Sequence, residues 1–392
     1  MILTNCRLIP ELSDGISSED GAVVIRDGMV VDIFADTSIP MQYVSEDKYD
    51  CQGMTLLPGL IDMHTHIAAL GRVGADRAHD KMGLLVAAAK HATQYLDNGF
   101  TTIRDCASTL RCANYVREMA ADGIIDAPDI ISCGCALMPT EVDPGNPLAL
   151  HLVAADGRDE MIKAARIEMA YGADFVKIFA SGAAANPNGV PTQAIMSAEE
   201  IAASTEAAAR KGTYVSAHCH SDDAIRLCVE NGVRTIEHAT LISDDTLDMI
   251  LRNDNVTMIP TLAVMRIGDG PSREYWLRRL GPMFDHCTAM MSKAYKAGAV
   301  LGFGTDCAAG SYEYDNGTEF RFRKENCGMK DIDILIQATS VNAKIAGLGD
   351  KVGEIKKGLR ADLILVDGKP DEDISAMYKK PECVWKRGKK VR

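Results

Sequence analysis

The chain has 392 residues, of which 47% are hydrophobic and 25% are charged, as in ordinary globular proteins. Its net charge of −13 argues against nucleic acid and against an anionic membrane as partners. The sequence has no apolar run near the ~18 residues that a membrane span needs, and its first residues lack the basic head and apolar block of a signal peptide.

The length suits one large domain with a smaller one. The 12 cysteines are scattered without a CxxC pair, and the closest spacing is Cys133-Gly-Cys135. This pattern favours free, buried thiols over a disulfide framework. We therefore expect a protein of the reducing cytoplasm.

Both ends of the chain have the residue pattern of short strands. Residues 22–26 and 29–34 are rich in β-branched side chains and flank Asp27-Gly28, a strong hairpin signal. Residues 361–367 and 383–387 are similar. We predict a small β-sandwich domain made from both termini, residues 1–57 and 347–392.

The middle of the chain alternates between strand-like and helix-like stretches. Strands are predicted up to His64 and at 100–105, 129–132, 175–180, 214–218, 235–238, 257–261 and 301–304. Helices are predicted at 80–96, 159–171, 198–211, 222–230 and 273–297. The alternation indicates an α/β protein, a (β/α)8 TIM barrel over residues 58–346. A doubly wound sheet is less consistent, since no glycine-rich phosphate loop opens any of these helices.

Two histidines, His64 and His66, follow the apolar run that ends at Pro58-Gly59. On an extended segment, side chains at i and i+2 point to the same side. Two neutral imidazoles that face one point can bind a borderline metal such as zinc. Alone, the pair is also compatible with an ordinary strand end.

In a barrel of this kind the reactive groups lie at the carboxyl ends of the strands. Five of the nine histidines fall at predicted strand ends, together with a lysine and an aspartate. These candidates are His64, His66, Lys177, His218, His220, His238 and Asp306. The other histidines, at positions 79, 91, 151 and 286, are interpreted as solvated or internally hydrogen-bonded.

Lys177 lies within Phe-Val-Lys-Ile-Phe, where its side chain should be buried. A buried lysine needs a partner. A salt bridge would provide one, but near several histidines we favour carbamylation by carbon dioxide, which makes an anionic ligand between two metals. Asp306 could be a ligand, a base or a strand-end cap. Cys219 and Cys307 alternate with these residues and should pack between strands and helices.

Several segments together resemble the amidohydrolase superfamily, and most closely its imidazolonepropionase-like and prolidase-type branch. They are PGLIDMHTHI, GFTTIRD, GADFVKIFASG, VSAHCHS, RTIEHATLI, IPTLAV, GFGTD and VGEIKKGLRADLILVDG. The resemblance runs from about residue 21 to residue 375, in order and with the expected spacing.

The resemblance implies a binuclear site, usually with two Zn²⁺ ions. His64 and His66 would bind one ion and His218 and His238 the other, with carboxylated Lys177 and a hydroxide between them. Asp306 would bind the first ion and act as general base. His220 would face the substrate.

The sequence departs from this branch at positions expected to face the substrate. Residues 132–139 read SCGCALMP where a Gly-Gly-His-like segment is expected, and residues 315–317 read Asp-Asn-Gly where a His-Gly pair is common. Whether His151 substitutes is open. A substrate carboxylate would need local donors, and the candidates are His220, Arg266, Arg273, Tyr312 and Tyr314.

We predict a metal-dependent hydrolase of a C–N amide bond in a small molecule, a dipeptide or an N-acyl amino acid, assembled as a homo-oligomer. A cyclic-amide hydrolase or a deaminase of the same superfamily is the alternative. Lys177 argues against the deaminase, because deaminases of this superfamily generally lack that lysine. A non-catalytic scaffold is the second alternative, although such proteins typically lose ligands.

Overall fold

The computed structural model describes residues 1–68, 81–141, 152–184, 189–266, 273–308 and 316–392. Within these ranges, no helix combines the length and the hydropathy that crossing a membrane would require. All 12 cysteines lie in these ranges, are buried and form no disulfide.

The N-terminal residues form short strands, two of which form the predicted hairpin. These strands are β1 (Ile2–Leu8), β2 (Ser18–Arg26), β3 (Met29–Phe34), β4 (Lys48–Asp50) and β5 (Thr55–Pro58). β2 and β3 pair in the antiparallel sense. Asp27 and Gly28 between them have φ values of 50° and 76°. Two positive φ values are those of a tight turn whose twist matches the strands, so the hairpin prediction is confirmed.

The central strands are mainly parallel and form two sheets. They are β6 (Leu60–His66), β7 (Phe100–Asp105), β8 (Asp129–Ser132), β9 (Ala136–Met138), β10 (Leu152–Ala154), β11 (Val176–Phe179), β12 (Val215–Cys219), β13 (Thr235–His238), β14 (Thr257–Ile259) and β15 (Cys307–Ala308). One sheet has the order β15-β6-β7-β8 and the other the order β10-β9-β11-β12-β13-β14. The predicted alternation of parallel strands with helices is confirmed.

The strand predicted at 301–304 is not a regular strand. Leu301 forms a single bridge with Met258, and Met63 N donates to Phe303 O at 3.0 Å, so the segment contacts both β14 and β6. Gly302 N donates to Met258 O on β14, but Phe303 N donates to Asn342 Oδ1 and the following Thr305 N donates to Asp62 Oδ1. Side-chain acceptors therefore replace part of the strand ladder.

Helices follow most of the central strands. They are α1 (Lys81–Asp97), α2 (Cys112–Ala121), α3 (Gly157–Ala170), α4 (Ala198–Ala209), α5 (Asp222–Glu230), α6 (Asp244–Leu251), α7 (Arg273–Arg279), α8 (Gly281–Lys296), α9 (Asn316–Glu325), α10 (Asp331–Ile336) and α11 (Asn342–Ile345). The single helix predicted at 273–297 is wrong, because Pro282 lies in the first turn of α8. Proline has no N–H to continue a preceding helix and suits a new helix start.

The C-terminal strands join the N-terminal ones. They are β16 (Leu363–Val366), β17 (Cys383–Lys386) and β18 (Lys389–Lys390). β16 pairs antiparallel with β5, which gives one eight-stranded sheet of order β18-β17-β16-β5-β1-β2-β3 with β4 beside β1. Trp385 and Leu363 lie in its buried apolar cluster. Both termini therefore share one sheet, while the two-layer sandwich and the domain limits remain predictions.

Candidate metal centre and active site

His64 and His66 lie at the carboxyl end of β6, beside Asp306. Their Nε2 atoms are 3.7 and 3.3 Å from Asp306 Oδ1. Asp306 N donates to His64 O at 2.8 Å, and its φ of 53° is in the left-handed region that aspartate tolerates better than most residues. The structure therefore brings the two histidines and the aspartate together, as the i, i+2 spacing predicts for the histidine pair.

His218, His220 and His238 form a second cluster. His238 Nε2 lies 2.9 Å from His218 Nδ1, and one nitrogen of each ring lies within 4.8 Å of the others. His238 Nδ1 is 4.0 Å from Asp306 Oδ2. Asp306 therefore lies between the two histidine clusters.

The backbone of β13 departs from regular alternation at His238. A regular strand would put Glu237 and His238 on opposite faces. Here both contact site histidines, because His238 and Ala239 have φ values of 68° and 49°. Non-glycine residues in this region are uncommon and concentrate at functional sites.

Lys177 lies on β11 and is buried, with 1% of its surface exposed. Its Nζ has no hydrogen-bond partner among the described residues and lies 5.3 Å from the centre of the Phe179 ring. The salt-bridge alternative for Lys177 therefore finds no support in the described part of the chain.

Three buried polar atoms of the predicted site lack hydrogen bonds to described residues: Lys177 Nζ, His64 Nε2 and His218 Nε2. Leaving such atoms unpaired costs free energy, so they call for a ligand. The donor set of histidine nitrogens and a carboxylate suits a divalent metal. The residues present therefore fit a metal centre.

Burial keeps most of these imidazoles neutral. It lowers the pKa of His64 and of His220 to about 4, and the charge of Lys177 acts in the same direction. Burial and neighbouring histidines hold the pKa values of His218 and His238 well below the usual range. Neutral imidazole is the form that binds metal.

Asp306 and His66 shift each other's pKa in opposite directions. Burial raises the pKa of Asp306, but its interactions with His64, His66 and Lys177 outweigh that effect, and the net shift is downward. Burial lowers the pKa of His66, yet the hydrogen bond and the charge of Asp306 raise it overall. Asp306 is therefore ionised at neutral pH and available as a ligand or a proton acceptor.

Backbone and hydroxyl groups contact the Nδ1 atoms of three site histidines. His66 Nδ1 lies 3.0 Å from Ala107 O, which only accepts, so Nδ1 carries the proton. His220 Nδ1 lies 2.8 Å from Thr240 Oγ1, and His238 Nδ1 lies 2.7 Å from Thr261 Oγ1. These contacts restrict ring rotation at the site.

Two buried charged residues, Arg104 and Glu237, contact the site although the sequence analysis gave them no role. Arg104 Nη2 donates to Glu237 Oε1 at 2.6 Å, and His64 Nδ1 lies 2.6 Å from Glu237 Oε2. Burial raises the pKa of Glu237, but Arg104 and His64 outweigh it and hold that pKa below the usual range. The sequence did contain a signal for both residues, since each is a charged residue within a strand predicted to be buried.

Cys106 also lies near His64 and Glu237, with one potential donor atom of each within 4.8 Å. Burial raises the pKa of the Cys106 thiol to about 12, so it stays protonated at neutral pH. The thiolate is the form that binds metal. We therefore interpret Cys106 as packing.

Two of the other four histidines lie in the described ranges, and both are internally hydrogen-bonded. His91 Nδ1 lies 3.2 Å from Ile67 O, and His286 Nε2 lies 3.1 Å from Ile242 O. Cys219 packs against α5, with its sulfur 3.6 Å from that of Cys228. These outcomes agree with the sequence predictions.

Most residues predicted to face the substrate carboxylate lie outside the described structure. Tyr312 and Tyr314 fall outside the described ranges, as do the side chains of Arg266 and Arg273. The same holds for His79 and His151 among the other histidines and for Asp315. His220 is the described member of that set, and it lies in the second histidine cluster.

A cavity of about 970 Å³ opens at the other end of the central strands. Tyr214, Arg234 and Thr257, at or next to the starts of β12, β13 and β14, line it, and none of the predicted site residues does. The candidate site residues therefore lie away from this cavity, at the carboxyl ends of the strands.

An α/β fold with histidines and carboxylates grouped at strand ends defines a class of metal-dependent hydrolases. Residues 55–391 match the model of the amidohydrolase family, and the chain belongs to that family. It is accordingly a hydrolase that acts on carbon–nitrogen bonds.

Three known proteins show how closely the chain resembles its relatives. Ochratoxinase from Aspergillus niger is 28% identical, over 97% of this chain and 84% of that protein. A crystal structure of a prolidase complexed with N-methylphosphonate-L-proline has a TM-score of 0.87 and 26% identity, covering 100% of this chain and 99% of that one. A Xaa-Pro dipeptidase with bound methionine in its active site has a TM-score of 0.86 and 27% identity, with the same coverage. The fold is therefore of the α/β TIM-barrel type.

Proposed function

We propose that the protein is a binuclear metal amidohydrolase that cleaves the C–N amide bond of a dipeptide or an N-acyl amino acid. One observation carries the proposal. Asp306 lies between two histidine clusters, and the buried amine of Lys177 has no hydrogen-bond partner among the described residues.

The candidate residues would divide into two ligand groups and a shared anion. His64, His66 and Asp306 would hold one divalent cation, and His218 and His238 would hold the other. Carboxylation of Lys177 would form an N–C bond to carbon dioxide and release a proton, which would turn the amine into an anionic ligand. Burial without a partner favours that change, because an uncompensated ammonium is costly. Zinc is the ion we expect, since the ligands are mainly imidazoles.

When bound, two divalent ions acidify water and polarise the scissile carbonyl. Asp306 then accepts the proton of the attacking water at its carboxylate and delivers it to the leaving nitrogen. Its lowered pKa keeps it ionised and ready to accept. His220 donates a hydrogen bond to the substrate, with its ring held by Thr240.

The relatives support an amino acid on one side of the scissile bond. One was solved with an N-methylphosphonate derivative of L-proline and another with methionine. Both ligands contain an amino acid unit. A free carboxylate next to the scissile amide is therefore part of the proposal, and its recognition by an arginine fork would favour acids over their amides.

The finer architecture belongs to the same proposal. We infer that the central strands close into a (β/α)8 barrel over residues 58–346. Residues 1–57 and 347–392 would then form one sandwich beside it. Assembly into a homo-oligomer and a cytoplasmic location remain predictions.

The test is a screen of dipeptides and N-acyl amino acids with zinc-loaded and chelator-treated protein, read as released amino acid. We expect turnover with zinc only. For the best substrate, the matched control is its C-terminal amide, whose kcat/KM should be about 10- to 100-fold lower because a charge-assisted contact is lost. An amide cleaved as well as the acid would contradict the carboxylate requirement. Turnover confined to cyclic amides would favour the imidazolonepropionase-like alternative.

A further inference from the structure

Glu237 is held by an unusual number of donors for a residue inside a strand. Its Oε1 accepts from Arg104 Nη2 at 2.6 Å, from Ser216 Oγ at 2.7 Å and from Thr235 Oγ1 at 2.7 Å. The side chains of Glu237 and Arg104 are both 0% exposed. Three donors on one oxygen fix the orientation of the carboxylate.

The other oxygen faces His64. Glu237 Oε2 lies 2.6 Å from His64 Nδ1. An ionised carboxylate only accepts, so this contact puts the proton of neutral His64 on Nδ1. It leaves His64 Nε2 with its lone pair free, and that atom is buried without a hydrogen-bond partner among the described residues.

Arg104 extends the contact to a third strand. From β7 its Nε donates to Met63 O on β6 at 2.6 Å, and its Nη1 donates to Thr235 Oγ1 on β13 at 3.1 Å. Met63 immediately precedes His64. Arg104 therefore fixes both the backbone next to His64 and the carboxylate that orients its ring.

We propose that Glu237, held by Arg104, is the positioning residue that keeps His64 in the tautomer able to bind metal through Nε2. This inference rests on the proposed role of His64 as a ligand. Groups that hydrogen-bond to a metal-binding histidine typically change metal affinity or activity about 10- to 100-fold when they are altered.

The decisive variant is Glu237→Gln, which preserves size but replaces one accepting oxygen with a donating NH2 group. Arg104, Ser216 and Thr235 all donate to the Oε1 position, so the amide oxygen must take that place. The amide NH2 then faces His64 Nδ1 and favours the tautomer protonated on Nε2. That tautomer presents a hydrogen instead of a lone pair to the metal.

The matched control is Glu319→Gln. Glu319 is also a fully buried glutamate paired with an arginine, since Arg323 Nε donates to its Oε1 at 2.8 Å. Its other oxygen accepts from Ala263 N. Loss of a buried charge pair is common to both variants, whereas contact with a site histidine is particular to Glu237.

Zinc affinity is measured on full-length protein by competition with a chelator, and the tautomer of His64 by ¹⁵N NMR of histidine-labelled, metal-free protein, assigned with His64→Asn. We expect Nδ1–H in the wild type, about 10- to 100-fold weaker zinc binding in Glu237→Gln and a smaller change in Glu319→Gln. Any one of three results overturns the inference: equal zinc affinity of Glu237→Gln and the wild type, an equal loss of affinity in both variants, or Nε2–H at His64 in the wild type. Failure of the wild type to bind zinc overturns the proposed function instead. If Glu237→Gln does not fold, the tautomer of His64 in the wild type decides whether the inference holds.

Discussion

Asp306 lies near both histidine clusters, with one carboxylate oxygen close to His66 and the other close to His238. Replacement by asparagine keeps one oxygen that can bind a metal and removes the proton acceptor. We expect Asp306→Asn to lower kcat by about 10²- to 10⁴-fold with a much smaller change in KM. Steady-state kinetics and metal analysis of the same preparation measure both effects.

The control for Asp306→Asn is Asp371→Asn. Asp371 pairs with Arg7 at 2.6 Å, and Arg7 lies on β1 of the terminal sheet. This variant should keep wild-type turnover. Near-normal kcat in Asp306→Asn would assign the proton transfer to another residue.

Lys177 provides the second prediction at the residue scale. Removal of its amine should prevent carboxylation, so Lys177→Ala should bind fewer than the roughly two zinc ions per chain expected of a binuclear centre and lose turnover. Lys177→Arg is the matched variant, because it keeps a cation of similar length that does not take up carbon dioxide. Added propionate should restore part of the activity of Lys177→Ala only, by supplying a carboxylate.

Metal analysis and turnover with and without propionate measure these effects. Full zinc content and activity in Lys177→Ala would refute the carbamate. A Lys177→Arg variant with wild-type metal content would show that a cation, and not a carboxylate, is needed there.

At the scale of single elements, α4 begins with a complete capping box. Ser197 Oγ accepts from Glu200 N, and Glu200 Oε2 accepts from Ser197 N at 2.8 Å. Ser197→Ala leaves a helix N–H without its acceptor, which should lower the free energy of unfolding by about 1 kcal/mol. Urea denaturation measures this change.

The exposed Ser45, in a turn outside the helices, provides the comparison. Ser45→Ala should leave the urea midpoint close to that of the wild type. Because α4 lies away from the histidine clusters, kcat should be unchanged in both variants. A midpoint for Ser197→Ala equal to that of Ser45→Ala would mean that the cap does not stabilise α4.

At the scale of the whole molecule, a group of charges ties the central strands to the terminal sheet. Asp129, on β8, lies 2.6 Å from Arg360, 3.0 Å from Lys386 and 3.0 Å from Arg387. Burial raises the pKa of Asp129, but these cations outweigh it and lower the pKa to about 2. The side chain is 26% exposed, so screening by solvent is incomplete.

The sign of the resulting pH dependence follows from that shift. A carboxyl whose folded pKa lies below its unfolded pKa stabilises the fold above the unfolded value, ~4, and loses that contribution as pH falls toward the folded value. Asp129→Asn should therefore lower the free energy of unfolding by about 1–3 kcal/mol at neutral pH. The difference from the wild type should shrink between pH ~4 and pH ~2.

Urea unfolding at several pH values tests this dependence. Asp126→Asn is the control, since Asp126 pairs with Lys389 where both side chains are more than half exposed. Exposed pairs contribute little to stability, so this variant should resemble the wild type throughout. A pH-independent loss in Asp129→Asn would indicate a packing effect in place of the charge interaction.

The sequence by itself determined the order of most strands and helices and the set of candidate metal-site residues, whose roles remain predictions. Spacing at i and i+2 is enough to put His64 and His66 on one side of a strand, and parallel strands bring their carboxyl ends to one edge. Asp27-Gly28 likewise specifies its turn through local backbone preference. These are local rules, so they can be applied without knowledge of distant contacts.

Only the tertiary structure decided which residues Glu237, Arg104 and the segment 301–304 contact. His238 breaks the alternation of β13 through a positive φ, and the amides of Phe303 and Thr305 bind to Asn342 and Asp62 instead of extending a ladder. Arg104 contacts strands far from its own position in the sequence. Such contacts join residues separated by 39 to 243 positions, so strand periodicity, which reports neighbours along the chain, carries no information about them.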